Sequence, residues 1–183
     1  TMVAAINEDL TWLTVGAMDT GNGPVRDAFI DGKMVILKER FKLYKFNTDA
    51  SLTPNKTTGI VTPWWSAYNA YDVDPGWQAK LNMASSLGTS IRELGRVTSA
   101  ISEDWSSCGF LSIIELTVPI KVAYGRFKHQ KRNQGGTSKI LDGERRGRGK
   151  TPNLPGGGRQ FYIPNLKTIH FGESSQSISL MGL

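Results

Sequence analysis

Hydrophobic and polar positions alternate in several short stretches and recur at helical spacing in others. Ile6, Leu10 and Leu13 recur at helical spacing, so a short helix is expected across residues 3 to 15. Thr20-Gly-Asn-Gly-Pro24 is a turn cluster. Met34-Val-Ile-Leu37 reads as a strand, and Phe41-Lys-Leu-Tyr-Lys-Phe46 alternates as a second. Residues 47 to 63 are rich in Asn, Thr, Ser and Pro and read as a loop. Asp74-Pro75 predicts a helix start, with Asp as the cap and Pro first in the helix, ending at Gly88 after Leu87. Ser90-Ile-Arg-Glu93 fits a capping box and predicts a second helix from 90 to about 106. The Ile-, Leu- and Val-rich run from Phe110 to Tyr124 is broken by Pro119, which predicts two strands. Arg159-Gln-Phe-Tyr-Ile163 predicts another strand, Lys167 to Phe171 a further short one, and the Ser-rich tail from Gly172 a frayed end.

The order of helix, strands, two helices and strands predicts an α+β fold, with a mostly antiparallel sheet and N-terminal and central helices packed on part of it. The 183 residues suit a single domain. Apolar runs such as Leu111 to Leu116 are interrupted by Ser112 and Glu115, and none reaches the roughly 20 residues of a membrane helix. The first 20 residues carry Asn7, Glu8, Asp9 and Asp19 and lack a basic start followed by an apolar core, so they do not read as a secretory signal. Thr1 before Met2 is compatible with a chain cut from a larger protein.

Charge changes this picture. The formal net charge is +6. Between Lys121 and Gln160, 11 Lys and Arg residues face Asp142 and Glu144, giving 11 − 2 = +9 and leaving 6 − 9 = −3 for the remainder. Residues 128 to 158 hold eight glycines and most of that charge, and read as a long basic loop. Its candidate nucleic-acid contacts are Lys128, Lys131, Arg132, Arg145, Arg146, Arg148 and Lys150. One cysteine, Cys108, excludes an internal disulfide framework and a Cys-rich zinc site, and two histidines, His129 and His170, argue against a His-based metal centre. No metal is expected.

Familiar motifs fail on their spacing. Gly147-Arg-Gly-Lys-Thr151 resembles the end of a phosphate loop, but the position of its first glycine is Glu144 and Pro152 stands where the helix begins. Cys108 at the head of an apolar strand reads as packing. Glu103, Asp104 and Glu115 are the candidate carboxylates for an acid role, although Glu103 and Asp104, late in a helix, read first as solvated surface. Two segments are more informative. Trp64 and Trp65 are adjacent, so an extended chain turns them to opposite sides, one inward and one free to wall a pocket for a flat ring. Gly156-Gly-Gly leads into a strand that starts with a polar residue, Gln160, whose amide can face a ligand.

Three pieces, Leu43-Tyr-Lys-Phe46, Pro63-Trp-Trp-Ser66 and Gly156-Gly-Gly-Arg-Gln-Phe-Tyr-Ile-Pro164, resemble in order the ADP-ribosyltransferase toxin superfamily. The likeness is to the C-terminal toxin domains of bacterial polymorphic (Rhs-type) toxins in particular. That resemblance implies a split, mostly antiparallel β-core that clamps NAD, and transfer of ADP-ribose to a macromolecule, with RNA favoured by the basic segment. It places Tyr44, Lys45, Trp64, Trp65, Ser66 and Arg126 at NAD, and Gln160 and Glu103 at the chemistry. Lys45 stands where the family has Arg, and neither Gln160 nor Tyr162 is the family's Glu. The resemblance also implies delivery within a larger secreted effector, action in the target-cell cytoplasm, and an immunity protein as partner, with no membrane association. Two other readings remain open: a non-catalytic nucleic-acid-binding module, and an NAD glycohydrolase.

Overall fold

The computed structural model describes residues 4–98, 109–128, 130–131, 153–154, 158–172 and 175–180. In chain order these form α1 (Trp12–Gly16), α2 (Val25–Ala28), β1 (Lys33–Leu37), β2 (Lys42–Asn47), β3 (Trp64–Ala67), α3 (Trp77–Leu87) and α4 (Ile91–Thr98). They continue with β4 (Phe110–Glu115), β5 (Ile120–Arg126), β6 (Gln130–Lys131), β7 (Asn153–Leu154), β8 (Arg159–Tyr162) and β9 (Gln176–Ser179). The fold is α+β. Seven strands join in one sheet, ordered β1-β5-β8-β3-β2-β4-β9, and every pairing in it is antiparallel. β6 and β7 form a separate small ladder.

The middle strand, β3, is short and makes two registered pairs with each neighbour. It joins two broader halves, β1-β5-β8 and β2-β4-β9. Strand alternation sends side chains to two faces. One face carries Leu43, Trp65, Ile114, Val122, Tyr124 and Phe161 and is covered by loop residues such as Val61, Leu166 and Phe171. The opposite face is covered twice. α1 and α2 pack over Ala123 and Tyr162, and α3 and α4 pack over Tyr44, Phe46, Leu111 and Ile113. A seam between these two helical layers runs along β3 and β8.

Local chemistry explains where the elements depart from their sequence pattern. The helix expected over residues 3 to 15 is only α1, capped by the Thr11 hydroxyl accepting from Thr14 N. Asn7 has φ 65°, outside the helical region, and its side chain donates to Pro164 O at 2.6 Å. Ile6 is thereby freed to bridge Ile120. Asp74 and Pro75 precede α3 rather than open it. The N-cap is Gly76, at φ 85°, and Asp74 Oδ1 accepts its N–H at 2.9 Å. A Cβ on Gly76 would stand 2.8 Å from Tyr68 O, so the close approach requires glycine. α3 ends as expected at Gly88, in the left-handed conformation. Ser90 Oγ accepts from Glu93 N at the start of α4, which is described to Thr98; residues 99 to 108 lie outside the described set.

Lys167 to Phe171 is not a strand. Lys167 makes one bridge to Ile60, and Thr168–His170 is a 3₁₀ turn in which His170 Nδ1 accepts from Lys167 N at 3.0 Å. The tail does not fray throughout, because Gln176–Ser179 adds to the edge of β4 and Leu180 is buried.

Candidate functional site

The seam is where polar groups enter the core. Tyr44 on β2 pairs with Ser66 on β3, and the β3–β8 register, continued by one pair, sets Ser66 opposite Gln160. Gln160 in turn pairs with Gly125 on β5. Tyr44, Ser66 and Gln160 therefore form a row across three adjacent strands, all turned to the helix-covered face and all buried. Gly125 ends the row, and a Cβ there would lie 2.9 Å from Asp31 O. Gln160 is 5% exposed, so its amide lies within the packed layer between sheet and helices.

The other end is built by the loop of residues 68–76 and by α3. Lys80 Nζ donates to Tyr44 Oη at 3.0 Å and to Asp74 Oδ2 at 3.2 Å. The Asp74 side chain is buried, and that of Lys80 is 19% exposed. Trp77 packs edge-on to Tyr44 with centroids 5.0 Å apart. Burial pushes the Tyr44 hydroxyl above its ordinary 10.0, against the pull of Lys80 and Ser66. Burial alone would lower Lys80, but Tyr44 and Asp74 outweigh it and hold the ammonium above 10.5.

The same loop supplies the opposite face. Tyr124 Oη donates to Asp72 Oδ2 at 3.2 Å, and the Arg159 guanidinium lies 5.8 Å over the Tyr124 ring. Burial raises the Tyr124 hydroxyl strongly; Arg159 opposes this, while Asp72 and Asp74 add to it. Asp72 sits at φ 53°, the left-handed conformation that turns the chain between the two carboxylates.

Of the residues nominated from sequence, Tyr44, Ser66 and Gln160 come together. Trp64 shares their face, beside Tyr162 at 4.8 Å and Phe127 at 5.0 Å, and is half-buried. Alternation sends Lys45 and Trp65 to the other face. Trp65 is 0% exposed and its Nε1 donates to Thr62 O at 2.8 Å, so it belongs to the core rather than to a ligand wall. Lys45 Nζ donates to Thr62 Oγ1 at 2.7 Å and lies 5.8 Å from the Trp65 ring centre, away from the row. Arg126 also points to that face and pairs with exposed Asp31, its Nε donating at 3.1 Å. Glu115 ends β4 opposite Lys42, distant in register from Gln160. Lys128 is exposed, and Lys131 contributes backbone to β6. Glu103, Arg132, Arg145, Arg146, Arg148 and Lys150 lie outside the described residues, as do Cys108 and His129.

Sequence reading missed Asp74, Lys80, Asp72 and Arg159. One signal was available for Lys80. Trp77, Leu81 and Ala84 form the apolar stripe of α3, and Lys80 falls within it, where a solvated lysine is out of place. Among the described residues no three His, Cys, Asp or Glu side chains gather as a metal site, and no helix is long and apolar enough to cross a membrane.

No family model and no curated protein matches the chain. A solved structure, Rhs1-CT in complex with cognate immunity protein RhsI1, is similar at a TM-score of 0.40 and 14% identity, over 81% of this chain and 77% of that chain. A likeness at that level transfers neither fold nor activity.

Proposed function

We propose that this chain is an Rhs-type toxin domain that cleaves NAD at the nicotinamide–ribose bond and passes ADP-ribose to a macromolecule, with RNA as the favoured acceptor. The observation that supports this reading is the buried row Tyr44–Ser66–Gln160. Its members come from the three segments that resemble the ADP-ribosyltransferase toxins, and the sheet sets them side by side.

The residue types fit NAD. In the reaction the glycosidic C–N bond breaks, nicotinamide departs with the electron pair, and an acceptor oxygen or nitrogen attacks the ribose carbon and then loses its proton. The enzyme has to orient the nicotinamide ribose and surround the developing charge with preset dipoles. Gln160 and Ser66 supply an amide and a hydroxyl to ribose hydroxyls or to the carboxamide. Trp64 supplies an aromatic wall on the same face. Lys45 faces the other side of the sheet, so the cation beside the row is Lys80. The +9 segment, which runs into β8, brings positive charge to the pyrophosphate or to a polyanionic acceptor. An effector-borne toxin of this kind acts in the target-cell cytoplasm and is restrained by an immunity protein in the cell that makes it.

The binding-module alternative asks the aromatic cluster to stack bases. Trp65 and Trp77 are buried in the core, which disfavours it. Incubating the chain with labelled NAD and cell extract separates the readings. Label in RNA or protein supports transfer, and free ADP-ribose alone supports hydrolysis. Intact NAD overturns the proposal.

A further inference from the structure

Two arginines face each other at the register pair beside the end of the row. Gly125 and Gln160 pair across β5 and β8, and the next pair is Arg126 with Arg159. Directly opposed side chains share a face, with Cβ atoms about 5 Å apart, and like charges so placed repel. Each guanidinium is nonetheless held. Arg126 Nε donates to Asp31 Oδ2 at 3.1 Å and Nη2 bonds the same oxygen, which engages one edge of its fork. Arg159 lies over the Tyr124 ring, and Tyr124 is fixed in turn by its 3.2 Å bond to Asp72. Stacking takes up a guanidinium face and leaves the in-plane N–H groups to acceptors at its edge. Lys33 on β1 is exposed and pairs with Tyr124, and Lys128, also exposed, follows β5 with its N–H on Ala28 O. These four cations meet the carboxylates of Asp31 and Asp72, so the cluster carries 4 − 2 = +2. Arg126 and Arg159 also bracket residues 127 to 158, whose sequence holds eight Lys and Arg against Asp142 and Glu144, 8 − 2 = +6.

We propose that Arg126 and Arg159 form a phosphate clasp that holds the backbone of the RNA acceptor. The choice of RNA rests on the reading of this chain as a transferase with an RNA acceptor, whereas the anion site rests on the arginine pair itself. A phosphodiester accepts paired N–H bonds from guanidinium groups, and its charge cancels the repulsion between them. The Asp31–Arg126 pair is solvent-exposed, so a phosphate joins or displaces the carboxylate at little cost. The clasp faces away from Tyr44, Ser66 and Gln160, yet it lies one residue, about 3.3 Å along the strand, from the Gly125–Gln160 pair. A strand of RNA held there by its phosphates passes beside the end of the row, where a flanking nucleotide can receive the ADP-ribose. Arg126 thereby serves the acceptor and not NAD.

The test titrates a fluorescein-labelled single-stranded RNA with the full chain, by anisotropy, across a salt series. Arg126→Gln leaves Asp31 in water and Arg159→Gln strands no buried charge, so both variants fold, which circular dichroism checks. Each weakens RNA binding about 3–10-fold at ~0.1 M salt. The double variant lowers the slope of log affinity against log salt by about 1.4, which is two single-strand phosphate contacts at about 0.7 each. Lys38→Gln with Lys121→Gln removes the same charge at the other end of β1 and β5 and leaves the slope near that of the wild type. A wild-type slope in the double arginine variant overturns the clasp, as does an equal loss in the Lys38 and Lys121 variant, which reduces the effect to net charge. Poly-glutamate that competes as strongly as unlabelled RNA also overturns it, in favour of an acidic protein on this surface. A chain that turns over NAD but binds no RNA overturns the clasp and spares the NAD reading. A chain that leaves NAD intact but binds RNA through the pair overturns the transferase reading, and the clasp stands.

Discussion

Tyr44 and Ser66 face each other across β2 and β3, and Lys80 reaches the pair from α3 through a 3.0 Å bond to the Tyr44 hydroxyl. The contact joins the sheet to the helical layer at the seam, so the site and the packing of α3 depend on each other. Four predictions follow from this arrangement and its surroundings.

Gln160→Ala and Trp65→Ala separate site from core. Gln160→Ala removes the one amide of the row, so NAD turnover drops roughly a hundredfold while the melting temperature falls less than in Trp65→Ala. Trp65→Ala opens a cavity beneath β3 and costs about 3–5 kcal/mol in chemical denaturation. A Trp65→Ala protein of wild-type stability would remove Trp65 from the core.

Stability falls on the alkaline side. Tyr44, Tyr124 and Lys80 all titrate above their ordinary values in the folded chain. Each holds its proton more tightly when folded, so their contribution is complete below about pH 10 and declines as the pH rises through the folded values. Denaturation midpoints measured from pH 8 to 11 should drop, and Tyr124→Phe should flatten the decline. An unchanged slope in that variant excludes Tyr124 as a source.

On the acid side His170 acts in the opposite sense. Burial, aided by Lys167, lowers its pKa below 6.5, and its neutral Nδ1 accepts from Lys167 N. The neutral form is favoured by folding, so this contribution is present above 6.5 and is lost as the pH falls through the folded value. Thermal melts at pH 7.5 and 5 should differ less in His170→Ala than in the wild type.

Gly76→Ala tests the loop that carries both carboxylates. At φ 85°, with Tyr68 O 2.8 Å from the added Cβ, the substitution should cost about 1–3 kcal/mol. It should also lower turnover, because Lys80 follows Gly76 by one helical turn. Equal loss of stability with full turnover would separate the loop from the site.

The polar alternation of Leu43 to Phe46, the break at Pro119, the stop at Gly88 and the short strand entered by Gln160 are local features, and all are legible in the sequence. They depend on dihedral preference and on burial of one side of a strand, which neighbouring residues decide. Alternation even requires Trp64 and Trp65 to part company, though only the sheet shows that Trp65 is the core residue. Composition likewise isolates the +9 segment. Lys45 and Lys80 could not be ranked that way. Which lysine meets Tyr44 depends on the β2–β3 register and on the close approach at Gly76 that seats α3 over the seam. Such contacts join residues far apart in the chain, and their geometry is settled by packing and hydrogen-bond satisfaction across the whole sheet. The sequence alone determined the α+β class, most of the strands and three members of the row; the tertiary structure decided which of them share a face, and that Asp74 and Lys80 complete it.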